Sequence, residues 1–388
     1  MRVLLVTEEH EARGGGLTTA VQELARHLAL AGYEVSILCT GRDPLTPPEG
    51  ASIIRHTPSR AGARWGWNPR LFPAIDAIVR AGALDRVHLH GVWQAAHWYA
   101  ARRATSQGIP VILSSHGMLE PYHWNDRGRA QYLMKRAYWT TMAYPAFKRA
   151  SLIHAITPTE AHNLEALFPG REIRIISNAV DLDEIDRELN ALALAGPLAR
   201  EPVVGFIGRF HPKKGLDALI DAFSSARVPA SWRLRIAGPP GTPEYMARLN
   251  LAMAKSPRRD RIEVVGPLFG SDKWRFLRTV SILAAPSLSE AIGLVNLEAA
   301  ACGTPTITTH ATGLEDWEQG GGFLVAPHAE QLRTALERAS RLSTEEYDAR
   351  SRGSRDLVER RYSWAVVSTQ WRDAYLRLGA PQPAPTHA

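Results

Sequence analysis

Short β-branched strands alternate with longer amphipathic helices along the whole sequence, and this alternation starts afresh near residue 203. The strand candidates before that point are Val3–Val6, Glu34–Leu38, Ile53–His56, Arg86–His90, Val111–Ser114, Ser151–Ala155 and Arg174–Ile176. Those after it are Val203–Ile207, Arg233–Ala237, Arg261–Val265, Val280–Ala285, Thr306–Thr308 and Gly322–Val325. Strands that alternate with helices predict parallel sheets. The sequence therefore predicts an α/β protein with two Rossmann-like, doubly wound domains that face each other across a cleft.

A polar and then alanine-rich segment separates the two halves. We take residues 182–202, which contain Gly196, Pro197 and Pro202, as a linker between an N-terminal domain (1–181) and a C-terminal domain (203–361). Residues 362–378 predict a helix rich in Trp and Tyr that crosses back to the first domain, and residues 379–388 predict a flexible proline-rich tail. Two domains suit 388 residues, because single cores stop growing near about 250–300 residues.

Composition excludes several classes of protein. No uncharged apolar run reaches the roughly 18 residues of a membrane span, and the first residues lack a signal-peptide pattern. Cys39 and Cys302 lie too far apart in sequence to start a disulfide framework or a zinc site. His88 and His90 share a strand face without a further ligand, and the place of Asp181–Asp183 at the linker indicates hinge or capping residues. We therefore expect a cytoplasmic protein without a metal.

The basic residues are concentrated in the first half of the chain. Residues 1–180 contain 20 Lys and Arg against 14 Asp and Glu, which is +6 of the total formal charge of +7. A basic surface favours an anionic partner: nucleic acid, acidic lipid or a phosphorylated substrate. Composition leaves these three open.

Two motifs of the first half follow predicted strands, where ligands of open α/β sheets bind. Gly14–Gly16 precedes a helix, so that backbone amides and the helix N-terminus could meet an anion. The alternative is a plain tight turn, since neither a dinucleotide fingerprint nor a P-loop is present. His116 follows Val111–Ser114 and could reach a ligand, or it could be structural.

In the second half, Arg209 and Lys214 follow the strand Val203–Ile207. A guanidinium can contact two oxygens at once, and an ammonium at a helix start adds a point charge, so the pair suits a diphosphate. The alternative is a solvated basic turn. The position after a buried strand favours the functional interpretation.

Glu290 and Glu298 are eight residues apart, and we expect them on one face of a helix, about 12 Å from each other. At this distance the two carboxylates could accept hydrogen bonds from hydroxyls at two ends of one polyol ligand. The two catalytic carboxyl groups of a glycosidase lie closer together, ~5–9.5 Å apart. The alternative is an amphipathic helix with two solvated carboxylates. The small apolar neighbours of Glu298 argue against that alternative.

Together these motifs resemble the retaining glycosyltransferases of family 4, which have the GT-B fold. The resemblance covers nearly the whole chain and includes Gly14–Gly16, His116-Gly117, Asn178–Asp181, Gly208-Arg209, Lys214-Gly215 and Glu290-x7-Glu298. It implies a hexosyltransferase that moves a sugar from a UDP- or GDP-sugar to a saccharide or lipid-linked acceptor, in bacterial exopolysaccharide, O-antigen or lipopolysaccharide biosynthesis. It also implies that the nucleotide sugar is a co-substrate and that no metal or other cofactor is needed.

The resemblance implies a role for each matching residue. The donor-binding positions are Gly15, Gly16, Arg209, Lys214, Pro267, Leu268, Glu290, Leu294 and Glu298, and the catalytic positions are His116, Arg209, Lys214 and Glu290. The two cations would hold the diphosphate, Glu298 the ribose and Glu290 the transferred sugar. The glycines would line the diphosphate from the other domain, His116 would lie beside the reacting sugar, and Pro267-Leu268 would lie near the base.

Two stretches, His56–Arg70 and Asp126–Trp139, mix cations with aromatic residues. They suit an anionic membrane surface or a polyprenyl-diphosphate-linked acceptor, and the alternative is ordinary packing with arginines at its rim. We hypothesise peripheral attachment to the inner face of the cytoplasmic membrane. No recognition element for nucleic acid accompanies the aromatics, so we expect no nucleic-acid partner. A nucleotide-sugar epimerase of the same fold and a catalytically silent sugar-nucleotide-binding protein are the rival functions.

Overall fold

The structure is a computed structural model that describes residues 1–8, 16–40, 46–59, 65–81, 84–124 and 128–379. The chain forms two compact units. Unit 1 comprises Met1–Ser177 together with the chain from Val367 on, and unit 2 is Asn178–Val366. Each unit contains one parallel sheet between helices, which confirms the predicted α/β class.

Unit 1 has a seven-stranded sheet. Its strands are β1 (Arg2–Thr7), β2 (Glu34–Thr40), β3 (Ala51–His56), β4 (Arg86–His90), β5 (Val111–Ser114), β6 (Leu152–Ala155) and β7 (Ile173–Ile175). They pair in parallel in the order β3-β2-β1-β4-β5-β6-β7. The chain reverses its winding direction between β1 and β4, and the loops beyond these two strands therefore diverge and leave a crevice.

The helices that follow these strands cover both faces of the sheet. They are α1 (Gly16–Leu30), α2 (Leu71–Arg80), α3 (Ala95–Ser106), α4 (Pro121–Trp124), α5 (Arg129–Tyr138), a π-helical turn (Trp139–Ala143), α6 (Tyr144–Phe147) and α7 (Pro158–Leu167). In α1, Val21, Leu24 and Leu28 recur at helical spacing and are buried, so one face of this helix packs into the core.

Unit 2 repeats this architecture with six strands. They are β8 (Glu201–Ile207), β9 (Arg233–Ala237), β10 (Ile262–Gly266), β11 (Val280–Ala285), β12 (Thr306–Thr309) and β13 (Phe323–Val325). The sheet is parallel in the order β10-β9-β8-β11-β12-β13, with the reversal between β8 and β11. The carboxyl ends of β8 and β11 are therefore neighbours at the crevice of this unit.

The helices of unit 2 begin in the segment expected to be a linker. They are α8 (Leu182–Ala195), α9 (Leu216–Ser225), α10 (Pro243–Lys255), α11 (Gly270–Thr279), α12 (Leu294–Ala301), α13 (Ala329–Ala339) and α14 (Thr344–Arg361). Asp181 caps α8, because its Oδ1 accepts the Glu184 N–H at 3.0 Å, which confirms the capping interpretation. Among the residues that the structure describes, no helix combines the length and apolarity of a membrane span.

The last helix, α15 (Trp364–Arg377), starts in unit 2, and from Val367 on it belongs to unit 1. A line of four buried hydrogen bonds, each 2.7 Å long, joins Tyr375 Oη, His88, Ser114 Oγ, His154 and the Ile176 carbonyl. Burial lowers the pKa of His154 and of His88, so both rings are neutral, and because a carbonyl only accepts, His154 donates from Nε2 and accepts at Nδ1. The same logic makes Ser114 donate to His154, His88 donate to Ser114, and Tyr375 donate to His88. Each of the two neutral imidazoles therefore carries its single proton on Nε2.

Candidate active site

A cluster of cations follows β8 in unit 2. The strand ends at Ile207, Arg209 is exposed beyond it, and a short 3₁₀ turn then carries Lys213 and Lys214. Burial lowers the pKa of Lys213, the Glu290 carboxylate opposes this shift, and the charges of Lys214 and Arg209 add to it. Within the described part of the chain, Arg209 forms no ion pair. The end of β8 thus gathers positive charge that an anion could neutralise.

Glu290 lies beside this cluster, in the loop that follows the neighbouring strand β11. Its Oε1 accepts hydrogen bonds from Lys214 Nζ and from Ser287 Oγ, the latter at 2.9 Å. The Leu288 N–H donates to the Lys213 carbonyl at 2.7 Å and ties the two loops together. The structure therefore brings Lys214 and Glu290, 76 residues apart, into direct contact.

Gly215 makes this close approach possible. Its φ of +66° lies in the left-handed region that residues with a side chain rarely adopt. A Cβ at this position would lie 2.1 Å from the Pro286 carbonyl oxygen, inside the backbone of the Glu290 loop. The two loops pack so closely that only glycine fits between them.

The expectation that Glu290 and Glu298 share one helix face is wrong. Helix α12 begins at Leu294 with Gly293 as its N-cap, so Glu298 is helical and Glu290 is not. The loop conformation of Glu290 is fixed from outside, since its N–H donates to the Ala311 carbonyl at 2.9 Å. A spacing of eight residues is ambiguous when a cap interrupts the segment, and that is the reason for the error.

Glu298 forms an ion pair that the sequence did not reveal. Lys273 Nζ on α11 donates to Glu298 Oε1 at 2.6 Å, and the side chains are 24% and 16% exposed. The same ammonium lies 4.6 Å from the centroid of the Trp274 ring. Because α11 and α12 flank the same strand, β11, a basic residue on α11 was the available signal. Glu298 is thus a half-buried, oriented carboxylate rather than a freely solvated one.

The remaining predicted donor positions are spread along this edge and in unit 1. Pro267 and Leu268 form the connection between β10 and α11, with Pro267 exposed. Leu294 is the first residue of α12 and is partly exposed. Gly16 is the exposed first residue of α1, and Gly15 lies outside the described residues.

His116 lies in unit 1, between β5 and α4. It is the only described residue other than glycine with a positive φ, at +50°. Its Nε2 is 2.9 Å from Nδ1 of His90, which ends the neighbouring strand β4. Burial, with smaller effects from His154 and His97, lowers the pKa of His116 to about 3. At neutral pH the imidazole is therefore uncharged and held in one orientation.

Five histidines gather under the carboxyl edge of this sheet, and we refer to His88, His90, His97, His116 and His154 as the histidine group. Burial is the main cause that lowers the pKa of each member, to about 3 for His97 and about 4 for His154. The group is consequently neutral in the folded protein at pH 7. These histidines cannot attract an anion by charge.

Glu160 holds the loop that carries His116. Its Oε1 accepts Ser115 Oγ–H at 2.5 Å and Gly117 N–H at 2.7 Å, and its Oε2 accepts the Ile156 N–H at 2.8 Å. The residue is 2% exposed and lies in the first turn of α7. Sequence reasoning missed it, because a glutamate three residues after Thr157 has the pattern of a capping box.

Glu8 is a further acidic group at the crevice of unit 1, just after β1. Burial raises its pKa to about 7, although the Trp93 backbone N–H opposes this shift. The Oε1 atom is buried without a hydrogen-bond partner. The structure thus places a carboxyl group that is close to half-protonated at neutral pH near the edge where β1 and β4 part.

The two basic-aromatic stretches are largely packed. Trp65 stacks on Tyr138 with ring centroids 4.4 Å apart. Lys135 lies 5.5 Å from the ring centroid of Trp93, and the Arg136 guanidinium lies 5.9 Å from that of Trp124. These contacts support the packing alternative for most of the aromatics. Arg60, Arg64, Asp126 and Arg127 lie outside the described residues.

Three large apolar side chains nevertheless remain exposed in this region. Tyr122, Leu133 and Met142 are 43%, 57% and 47% exposed. Arg129 and Arg136 on α5 are exposed as well. We refer to these five residues as the α5 patch, a combination of apolar and cationic side chains that is typical of interfacial membrane contacts.

Comparison with known proteins relates both halves of the chain to sugar-transferring enzymes. The family model described as Glycosyltransferase Family 4 matches residues 14–184, and the model described as Glycosyl transferases group 1 matches residues 201–341. A relative, the D-inositol 3-phosphate glycosyltransferase of Jonesia denitrificans, is 26% identical over 398 residues. That match covers 94% of this chain and 91% of the relative.

Solved structures have the same fold. Sucrose-phosphate synthase from Thermosynechococcus elongatus has a TM-score of 0.74 at 20% identity, covering 97% of this chain and 99% of that one. Anabaena Alr3699/HepE, solved in complex with UDP and glucose, has a TM-score of 0.73 at 19% identity. This match covers 97% of the present chain and 100% of the other.

Proposed function

The chain belongs to the glycosyltransferases of family 4, enzymes with the GT-B fold that transfer hexosyl groups, and from this premise we propose its reaction. The protein transfers a sugar from a nucleotide-sugar donor to a saccharide or lipid-linked acceptor, with retention of the anomeric configuration. The observation that carries this proposal is the contact of Lys214 with Glu290 beside Arg209, at the carboxyl ends of adjacent strands. Cations for a diphosphate and a carboxylate for sugar hydroxyls meet there.

The cations would serve the leaving group. As the sugar departs, the nucleoside diphosphate gains negative charge, and preorganised cations stabilise that charge most when they lie in place beforehand. Arg209 can contact two phosphate oxygens, and Lys214 can exchange Glu290 for phosphate when the donor arrives. Freed of its partner, Glu290 would accept hydrogen bonds from the hydroxyls of the transferred sugar. The positive charge needed by the diphosphate is supplied by the chain itself.

Glu298 would bind the ribose of the nucleotide. A carboxylate can accept hydrogen bonds from both ribose hydroxyls, and Lys273 keeps this one oriented through the 2.6 Å contact. Pro267 and Leu268 would contact the base, and Leu294 the donor at the start of α12. HepE has been solved with UDP and glucose, which favours a UDP-sugar over a GDP-sugar as the donor.

His116 would lie beside the reacting sugar from unit 1. A neutral imidazole can donate or accept a hydrogen bond at a sugar hydroxyl without attracting the leaving phosphate. In this scheme an oxygen of the departing diphosphate takes the proton of the acceptor hydroxyl, while Arg209 and Lys214 hold the diphosphate. Gly15 and Gly16 would line the diphosphate, Gly16 as the first residue of α1.

The donor site is tested by thermal shift against UDP-, GDP- and ADP-sugars. A donor at one hundred times its Kd adds about 2.7 kcal/mol to the stability of the protein. We expect Glu298→Ala and Lys214→Ala to lose this shift. The matched controls Glu318→Ala and Lys255→Ala change exposed residues of unit 2 and should keep it. A wild-type shift in either site variant would show that the nucleotide binds elsewhere.

For the acceptor, we propose a saccharide carried on a polyprenyl diphosphate, as in the assembly of bacterial surface polysaccharides. The α5 patch supports this choice, because its apolar and cationic side chains suit a lipid surface with anionic headgroups. The Jonesia relative is named for D-inositol 3-phosphate, and a small phosphorylated polyol is therefore the second candidate.

Flotation with vesicles that contain anionic lipid separates these acceptors. We expect the protein to float at low salt and Leu133→Ser to reduce the bound fraction. Leu194→Ser is the matched control, since Leu194 is 91% exposed on α8 of unit 2. A protein that stays in solution even at low salt would remove the membrane proposal and favour the soluble polyol.

A further inference from the structure

We infer that Glu160 is a positioning residue whose carboxylate holds the His116 loop in the conformation that sugar transfer requires. The inference rests on the role proposed above for His116. It adds a residue on helix α7, 44 positions later in the chain, that fixes the geometry of this histidine.

The backbone of His116 is strained. A φ of +50° is sparsely populated by residues with a Cβ, and such conformations persist only where the surroundings overdetermine them. Glu160 supplies that constraint on both sides of the strained residue. Its Oε1 accepts from Ser115 before His116 and from Gly117 after it. A single carboxylate oxygen thus clamps the two neighbours of the histidine.

The second oxygen anchors the clamp to the sheet. Oε2 of Glu160 accepts the N–H of Ile156, which directly follows strand β6. Strand β6 pairs with β5, which leads into the His116 loop. Glu160 therefore connects two adjacent strand ends through three hydrogen bonds of one buried side chain.

A role in helix capping alone does not account for this arrangement. In a capping box the glutamate side chain returns to the N–H of its own N-cap residue. Here the N-cap Thr157 accepts from the Glu160 N–H, while both carboxylate oxygens bond outside the helix. The side chain is therefore committed to the loop and the strand end.

The imidazole itself is aimed by this loop. With its backbone in the left-handed region, His116 places Nε2 at 2.9 Å from His90 Nδ1. Release of the clamp would let the backbone relax to negative φ and would swing the ring away from His90. Misplacement of a catalytic group by about 1 Å can cost on the order of 100-fold in rate.

Glu160→Gln tests the clamp while keeping the side-chain volume. In either amide orientation the NH2 group meets an N–H donor, that of Ile156 or that of Gly117, so the clamp loses either its anchor at the end of β6 or its bond beside His116. Glu165→Gln is the matched control, because Glu165 lies on the same helix with its side chain 68% exposed. In crystal structures of both variants, we expect His116 to leave positive φ and lose its contact with His90 only in Glu160→Gln. An unchanged His116 in Glu160→Gln would overturn the inference.

Kinetics of UDP release from UDP-glucose provide the second readout. Per mole of folded enzyme, we expect Glu160→Gln to lower kcat about 10- to 100-fold and to leave KM for the donor within about twofold. The double variant with His116→Ala should be no slower than His116→Ala alone, since both changes remove one function. If the kcat losses of the two single variants multiplied in the double variant, Glu160 would not act through His116.

Two further outcomes separate this inference from the proposed function. Wild-type kcat in His116→Ala would show that the histidine has no role, and the inference would then fall with the role proposed for it. An impaired His116→Ala beside an unimpaired Glu160→Gln would refute the clamp alone. Ser115→Ala removes a single donor, and if Glu160→Gln does not fold, the crystal and kinetic comparisons apply to Ser115→Ala with a smaller loss.

Discussion

Replacement of Gly215 by alanine should damage the donor site through the backbone. The new Cβ would lie 2.1 Å from the Pro286 carbonyl oxygen, whereas real Cβ atoms essentially never come closer than 3.0 Å. The Pro286–Glu290 loop must therefore move by at least the difference, about 1 Å, relative to the Lys214 turn. The left-handed φ adds roughly 1 kcal/mol of strain. A shift of this size at reacting groups corresponds to about 100-fold in kcat.

Gly170→Ala separates the displacement from the strain. Gly170 has a similar φ of +75°, but a Cβ there would meet nothing within 4 Å. Gly170→Ala should lose about 1 kcal/mol in urea unfolding and Gly215→Ala more, because of its clash with Pro286, and only Gly215→Ala should lose about 100-fold in UDP release from UDP-glucose. Equal activity of the two variants would refute the argument that loop contact positions Glu290 against Lys214.

Three further outcomes follow from the buried polar groups. Tyr375→Phe leaves the acceptor Nδ1 of His88 without a donor and should lower the free energy of unfolding by about 1–3 kcal/mol in urea titrations, and an unchanged midpoint would contradict the bond. Lys273→Met removes the partner of a proposed ribose-binding carboxylate and should weaken UDP binding about tenfold by calorimetry; an unchanged Kd would argue against that role. The free energy of unfolding should fall on acidification below pH 6.5. In the unfolded chain these histidines then bind protons, whereas in the folded protein the histidine group stays neutral because its pKa values are lowered. Each histidine contributes about 1.4 kcal/mol per pH unit until its folded pKa is reached, and this loss exceeds the opposite effect of Glu8 and Glu120, whose pKa burial raises to about 7. Thermal melts across pH 7 to 4 check this, and a flat Tm would refute it.

The architecture could be predicted from the sequence because it follows from local patterns. Every strand candidate corresponds to a strand of the structure, with ends that differ by at most two residues. The contact of Lys214 with Glu290 was also within reach, since the carboxyl ends of parallel strands meet at one edge of a sheet. Position after a strand is a property that the sequence displays directly.

Other parts of the site depend on contacts between distant side chains. Lys273 pairs with Glu298 across two helices, and Glu160 reaches from α7 to the loop after β5. No local pattern marks such a partner, because either side chain could equally have pointed to solvent. Glu290 was placed on a helix for a related reason: the bond of its N–H to Ala311 comes from a segment 21 residues later. Tertiary contacts override periodicity at these positions.

Because unit 1 contains both Met1–Ser177 and the segment from Val367 on, the ribosome begins this unit first and completes it last. While the intervening residues are synthesised, the nascent first stretch lacks Trp371 and Tyr375, which are almost fully buried in the finished protein. A recombinant fragment ending at Ser177 would expose the apolar surface that these rings cover and would be prone to aggregate. The contiguous stretch Asn178–Val366 is the better choice for expression in isolation.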